Sequence, residues 1–478
     1  MAGKIIGREK ETAQLLRALK SEESEMISVV GRRRVGKTYL IREVYKDHLS
    51  FQLSGLQNGN KDKQLANFSQ EMSTTFANWT AEDHPEDWLR AFFILSEYLD
   101  AHRKEGQRQV IFFDEVPWMA THKSDFLTGL SWFWNSWAER RQVVVVICGS
   151  AASWMVRKIL RNQGGLHNRV TQRIRLYPFT LAETSAYLKN RRVRFSQYEI
   201  LQLYMVMGGI PFYLKELLPG ESVLQAIDRI CFAREGLLND EFNALYPALF
   251  ENSEYHIRII RALAGTQQGF TRTEILKAAK FPDGGRVSRV LEELIESGFI
   301  TLYRTFGMKR KNVRYRLTDH YSSFYLRFIE PNQLEGEGSW MALGQTQAYK
   351  SWAGYAFENV CMEHLPQIKK ALRIEGVYTS TGTFYKKGTA AKPGAQIDLL
   401  LDRHDGVINL IEMKFYAGPF KVSREYAERL AHKRDVLVAE TKTLKRAAVV
   451  VIGANGVEES EAGREVLDNA FGGEVLFQ

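Results

Sequence analysis

Along the first 180 residues, short unbroken apolar runs alternate with stretches whose apolar positions recur at helical spacing. Val110–Phe113 and Val143–Ile147 are apolar at every position, which suits strands covered by helices on both faces. With Met26–Val30, Ser50–Leu53 and Arg173–Leu176 they predict five strands, the two apolar runs lying in Gln109–Phe113 and Val143–Cys148. Between them, Trp88–Leu99 and Phe126–Trp137 read as helices. Leu127, Leu130, Trp134 and Trp137 share a face of the second, an aromatic stripe that reads as core. Strands alternating with helices predict an α/β domain with a mostly parallel sheet.

The pattern then turns mostly helical from Thr180 to Tyr246, with a break at Gly208-Gly209-Ile210-Pro211. Helices are expected over Tyr255–Leu263, Arg272–Ala279 and Gly285–Ser297. Short strands over Phe299–Arg304 and Val313–Leu317 flank a turn at Gly307–Lys311. That order predicts a winged helix-turn-helix. The polar run Glu330–Ser339 reads as a linker, and a last α/β unit follows from Tyr349: a helix stopped near Pro366, three strands and further helices. The expected division is a core at 1–179, a helical lid at 180–250, the winged helix at 251–330, a linker at 331–348 and an α/β unit at 349–478.

Composition changes this picture little. A chain of 478 residues exceeds what one hydrophobic core supports, so three or four domains are expected. It is 45% hydrophobic and 25% charged, without the run of about eighteen apolar residues that a membrane span needs. The first residues lack the apolar stretch of a signal peptide, and Cys148, Cys231 and Cys361 are odd in number and far apart. A cytoplasmic protein without disulfides, zinc cluster or membrane partner is the expectation. A net charge of +9 is compatible with a polyanionic partner. The final Glu474-Val475-Leu476-Phe477-Gln478 resembles half of a tag-removing protease site and carries no fold expectation.

The chemistry concentrates first at Gly31-Arg32-Arg33-Arg34-Val35-Gly36-Lys37-Thr38, which fits G-x-x-x-x-G-K-S/T between a strand and a helix. Glycines let backbone N–H groups turn onto phosphates, and the helix N-terminus adds partial positive charge. Lys37 is expected on the β- and γ-phosphates of ATP and the Thr38 hydroxyl on Mg2+. Asp114-Glu115 ends the strand Val110–Phe113, where Asp114 suits the metal and Glu115 the activation of water. Gly149-Ser150 ends the next apolar strand, which makes Ser150 a candidate sensor of the γ-phosphate.

Residues 6 to about 330 resemble the archaeal-type ATPases of the AAA+/STAND branch. The matching pieces are Ile6-Gly7-Arg8-Glu9, the Arg-rich loop, Phe113-Asp114-Glu115, Gly149-Ser150, Asn168-Arg169 and Gly208–Leu214. The resemblance implies that Arg8 and Pro211 lie near the nucleotide base. It also implies that Arg169 or Arg173 faces the γ-phosphate, in the same copy or from a neighbour in a homo-oligomer. This chain has Asn168 where the family commonly has Gly. Around the expected wing stand Arg304, Lys309, Arg310, Lys311, Arg314 and Arg316, with Arg286 and Arg289 on the third helix. Such a basic cluster suits DNA phosphates.

In the last unit, strand period two puts Glu412 and Lys414 on one face, among Ile408, Leu410 and Tyr416. A charged pair on an otherwise apolar strand calls for a metal or counter-charge. Asp398 lies on the preceding strand and Glu358 in the helix before it. The set resembles the PD-(D/E)xK nuclease core, with Ile397 where a proline is usual. By that resemblance Asp398 and Glu412 bind Mg2+ or Mn2+, Lys414 activates water and Glu358 assists. Two readings follow: an ATP-driven enzyme that binds and cuts nucleic acid, and an ATP-controlled signalling or scaffolding switch whose nuclease fold is inactive.

Overall fold

A computed structural model describes residues 5–80, 84–121, 124–150, 152–160, 165–166, 168–250, 252–282, 284–306, 313–332, 336–389 and 393–478. The chain divides into two units, Met1–Pro178 and Phe179–Gln478.

The first unit is α/β. Strands β1 (Glu25–Val30), β2 (Leu49–Ser54), β3 (Val110–Asp114), β4 (Val144–Gly149) and β5 (Gln172–Arg175) form one parallel sheet in the order β2-β3-β4-β1-β5. Every residue of β3 and β4 is buried, as their unbroken apolar runs predict. One face packs a cluster around Phe51, Phe68, Trp88, Phe92, Phe113 and Phe126. Trp134 and Trp137 are in it, so the aromatic stripe is core. Its helix, however, ends at Trp132, and a π-type turn carries Phe133–Trp137. The strand order brings the C-terminal ends of β1, β3 and β4 together, where open parallel sheets place their ligands.

The second unit opens with helices, among them Leu181–Asn190, Gln197–Met207 and Val223–Cys231, the three held at their N-termini by capping boxes at Thr180, Ser196 and Ser222. Helices Ser253–Ala264, Arg272–Ala278 and Gly285–Glu296 precede an antiparallel pair, β6 (Ile300–Arg304) and β7 (Val313–Leu317). Residues 307–312 between them, including Lys309, Arg310 and Lys311, lie outside the described residues.

The stretch read as a linker is structured in part: Ser339–Leu343 is helical, and Trp340 is buried against Phe232, Phe324 and Phe328. The buried carboxylate of Asp228 anchors it by accepting from Trp340 N at 2.9 Å. Trp340 stands at the edge of a polar run in too short an apolar stretch to show periodicity, so only its tertiary partners reveal it. Pro366 likewise opens a helix, Leu365–Ala371, directly after Gln347–Glu363. Proline lacks an N–H that a first helical turn does not need.

The last sheet runs β14-β12-β10-β9-β8, built from β8 (Thr379–Lys386), β9 (Ala395–Arg403), β10 (Val407–Lys414), β12 (Arg446–Gly453) and β14 (Asn469–Gly472). β8, β9 and β10 pair antiparallel, while β12 and β14 add parallel to β10. A small parallel pair joins β11 (Phe420–Lys421) to β13 (Val457–Glu458). The final residues belong to the fold: Gly473–Phe477 is a 3-10 turn with Val475 and Leu476 buried. No helix among the described residues is long and apolar enough to cross a membrane.

Candidate functional site

The first site forms where β1 turns into the helix Lys37–Tyr45. A Cβ on Gly31 would collide with the Leu176 carbonyl, and Gly36 has φ +92°, a left-handed conformation that favours glycine. Arg34, at φ 71°, is also left-handed. These angles curl the loop so that the buried Lys37 ammonium donates to Gly31 O at 2.9 Å and Arg32 O at 3.0 Å. Thr38 Oγ1 donates to Asp114 Oδ2 at 2.6 Å, joining the loop to the end of β3.

Glu115 follows with φ 48°, and its N–H donates to Asp114 Oδ1 at 3.0 Å. Its Oε2 accepts from Ser150 N at 3.0 Å and Ser150 Oγ at 2.8 Å. Ser150 thus grips Glu115. Cys148 is buried next to these groups; burial above all, then the Asp114 charge, pushes its thiol far up, which makes it inert.

Arg8 is buried at the start of the Glu9–Leu19 helix, and its Nη2 donates to Val35 O at 3.4 Å, against the loop. Arg169 instead pairs with Glu139 at 2.7 Å, an ion pair open to solvent. Pro211 belongs to the second unit, where it opens the short helix Pro211–Leu214 after Gly208, whose φ is +63°.

A loop curled by left-handed residues at a helix N-terminus, with Thr38 and Asp114 oxygens side by side, fits a nucleotide phosphate and its Mg2+. Residues 5–217 match the family model described as an ATPase domain predominantly from Archaea. This stretch is an archaeal-type P-loop ATPase domain. The domain accounts for a little under half of the chain. The chain is similar to an uncharacterized protein of Methanocaldococcus jannaschii, 24% identical over 417 residues that cover 86% of this chain and 87% of that one. Among solved structures it is similar to a Walker-type ATPase of Pyrococcus abyssi, with 16% identity, 68% of this chain and 96% of that one covered and a TM-score of 0.49. It is also similar to the ORC2 protein of Aeropyrum pernix in ADPNP-ADP complexes, with 16% identity, 72% and 96% covered and a TM-score of 0.43.

Beyond the ATPase domain, the carboxylates of the last unit come together. Asp398 on β9 accepts from Met413 N at 3.3 Å, which sets it beside β10. Glu412, 1% exposed, accepts from Lys433 Nζ at 2.7 Å and from Tyr426 OH at 3.3 Å, with Lys414 Nζ at 3.7 Å. Glu358 accepts from Arg316 at 3.0 Å. Burial foremost, then the Asp398 charge, raises the Glu412 carboxyl; the same two causes push Glu358 up to about 7, against the pull of Arg316.

Lys414 is not the sole cation: Lys433 and Arg316 stand closer to the acids than it does. Lys433 and Tyr426 lie seven apart on the helix Arg424–Thr441, in line with buried Leu430 and Leu437, the one signal in the sequence for a lysine turned inward. Arg316, expected on an exposed wing, is buried. Arg314 pairs with Glu274 at 3.1 Å and donates to Gly269 O at 2.9 Å. Arg286 and Arg289 are exposed, with Arg286 lying over the Tyr255 ring.

Proposed function

We propose that the chain couples ATP hydrolysis to binding of nucleic acid, probed first as DNA, and to metal-dependent phosphodiester cleavage by residues 349–478. In the ATPase domain, Lys37 is the cation for the β- and γ-phosphates, and Thr38 with Asp114 holds Mg2+. Glu115 orients the attacking water once Ser150 releases its Oε2. Arg8 lines the nucleotide from the side of Val35.

One observation carries the cleavage reading: Asp398 and Glu412 stand on adjacent antiparallel strands with two lysines on Glu412, and Glu412 Oε1 is buried without a hydrogen-bond partner. An orphaned carboxylate oxygen beside a second acid fits a divalent cation. Bound Mg2+ or Mn2+ would supply Lewis acidity to the phosphate. Asp398 and Glu412 would hold the cation, Lys414 would take up the charge of the attacking oxygen, and Glu358 would assist from its helix. The three helices and the strands β6 and β7 read as a winged helix that brings the duplex, with Arg286, Arg289, Lys309, Arg310 and Lys311 on its phosphates.

A second reading is favoured by the same site's charge balance. Glu358, Asp398 and Glu412 face three cations, Arg316, Lys414 and Lys433, and no group of three metal-ligating side chains occurs among the described residues. A neutral cluster suits an inactive fold in an ATP-controlled switch. Incubating the purified protein with DNA or RNA and Mg2+ or Mn2+, with and without ATP, decides between the two. Cleavage lost on Asp398→Ala supports the first. No cleavage in any nucleotide state, beside intact ATP hydrolysis, establishes the second.

A further inference from the structure

The helix that carries Glu358 also grips the hairpin. Tyr355, Glu358, Asn359 and Met362 recur at helical spacing along Gln347–Glu363, and all four meet β7. Asn359 Nδ2 donates to Leu317 O at 3.2 Å, and Tyr355 OH donates to the same carbonyl at 3.4 Å. Arg316 reaches inward beside them. Its guanidinium donates to Glu358 Oε2 at 3.0 Å and Tyr355 O at 3.2 Å, and lies 3.9 Å from the Tyr355 ring centroid.

A second seam joins the hairpin to the edge of the sheet. Phe306 N donates to Thr383 O at 2.7 Å, and Thr305 forms a parallel bridge with Thr383. A Cβ on Gly382 would stand 2.8 Å from Arg304 O, so this approach requires glycine. A buried guanidinium needs a counter-charge, and Arg316 takes Glu358, one of the three acids of the site. The hairpin cannot shift without moving the group that fixes Glu358.

We propose that Arg316 is a positioning residue that couples nucleic-acid docking on β6 and β7 to cation binding at Asp398 and Glu412, through the neighbouring Glu358. The inference rests on the nucleic-acid reading above and adds to it a path from docking surface to acids. A docked duplex bears on β6 and β7, Arg316 transmits the shift to Glu358, and linkage makes the effect reciprocal.

The test is calorimetric titration of the full chain with Mn2+, with and without a short duplex DNA. In the unaltered protein the duplex is expected to tighten Mn2+ binding at least about fivefold. Arg316→Met should bind each ligand singly yet lose that enhancement, and Arg316→Lys should recover part of it. Glu358→Gln removes a carboxylate of the site itself, so it should weaken Mn2+ binding even without duplex, and adding it to Arg316→Met should restore no enhancement. A residue that only supports the fold would lower both single affinities and the unfolding temperature together, and lysine would restore no coupling. Should Arg316→Met fail to fold, Arg316→Gln, which keeps a donor for Tyr355 O, carries the test. Enhancement that survives in the folded variants overturns the coupling and leaves the cleavage reading standing. An unaltered protein that binds duplex but no Mn2+ overturns both.

Discussion

The two acid-and-lysine sites of this chain solve the same problem by different means. At the P-loop, Lys37 is satisfied by main-chain carbonyls six and five residues back, and its acids come from one dipeptide at the end of β3. Backbone conformation does the arranging, through left-handed Arg34, Gly36 and Glu115. At the carboxylate site Glu358 and Glu412 are met by side chains from distant elements: Arg316 from a hairpin, Lys433 and Tyr426 from the helix Arg424–Thr441. A site built from consecutive backbone survives side-chain change around it. One built from distant charges depends on each partner, because a buried charge left alone costs several kcal/mol.

The largest effect should fall on the ATPase domain. Glu115→Gln is expected to bind ATP normally, since Thr38 and Asp114 are untouched, while hydrolysis drops about 100-fold or more. Lys37→Ala should weaken nucleotide binding itself. Turnover and equilibrium binding of a fluorescent ATP analogue separate the two, and normal turnover by Glu115→Gln would remove its assigned role.

Next in size, Asp398→Ala or Glu412→Ala should abolish nucleic-acid cleavage in gel assays while ATP hydrolysis by the same preparations stays within about twofold of the unaltered rate. Lys414→Ala should keep Mn2+ binding but lose about 100-fold in cleavage rate. Equal loss of both activities would mean that the sites are not independent.

A smaller effect is expected at Lys309, Arg310 and Lys311. Reversing Lys309, Arg310 and Lys311 to Glu should weaken duplex binding and flatten the slope of log affinity against log salt by about one for each phosphate that is no longer neutralised. Fluorescence anisotropy across a salt series measures it, and an unchanged slope would turn the hairpin away from DNA.

The smallest is a pH effect confined to the carboxylate site. Glu358 and Glu412 both have carboxyls raised above the usual value, so the folded protein holds protons that the unfolded chain releases. That contribution to stability is complete below the usual carboxylate range and is lost as pH rises through about 7 for Glu358. The unfolding temperature should therefore fall between about pH 5 and pH 8, and Glu358→Gln, which cannot ionise, should shrink the fall. A variant with the same pH profile as the unaltered protein would argue that Glu358 is ionised throughout.

The sequence by itself determined the buried strands of the first unit and the P-loop. Apolar runs with no polar interruption, as in Val110–Phe113 and Val144–Ile147, have few stable fates other than buried parallel strands, and the loop's chemistry is contiguous in the chain. It also put Glu412 and Lys414 on one face and Asp398 on the neighbouring strand, because strand period is a local property. Only the tertiary structure decided what those acids face. Arg316 looked like one more cation on a basic hairpin, and nothing local distinguishes a guanidinium that will be buried from one that stays in water. Arg169 turned to Glu139, Trp340 pinned a polar stretch, and Lys433 swung onto Glu412 for the same reason. Electrostatic partners are chosen by distance in space, and residues 42 or 21 positions apart in the chain meet only once the fold has formed.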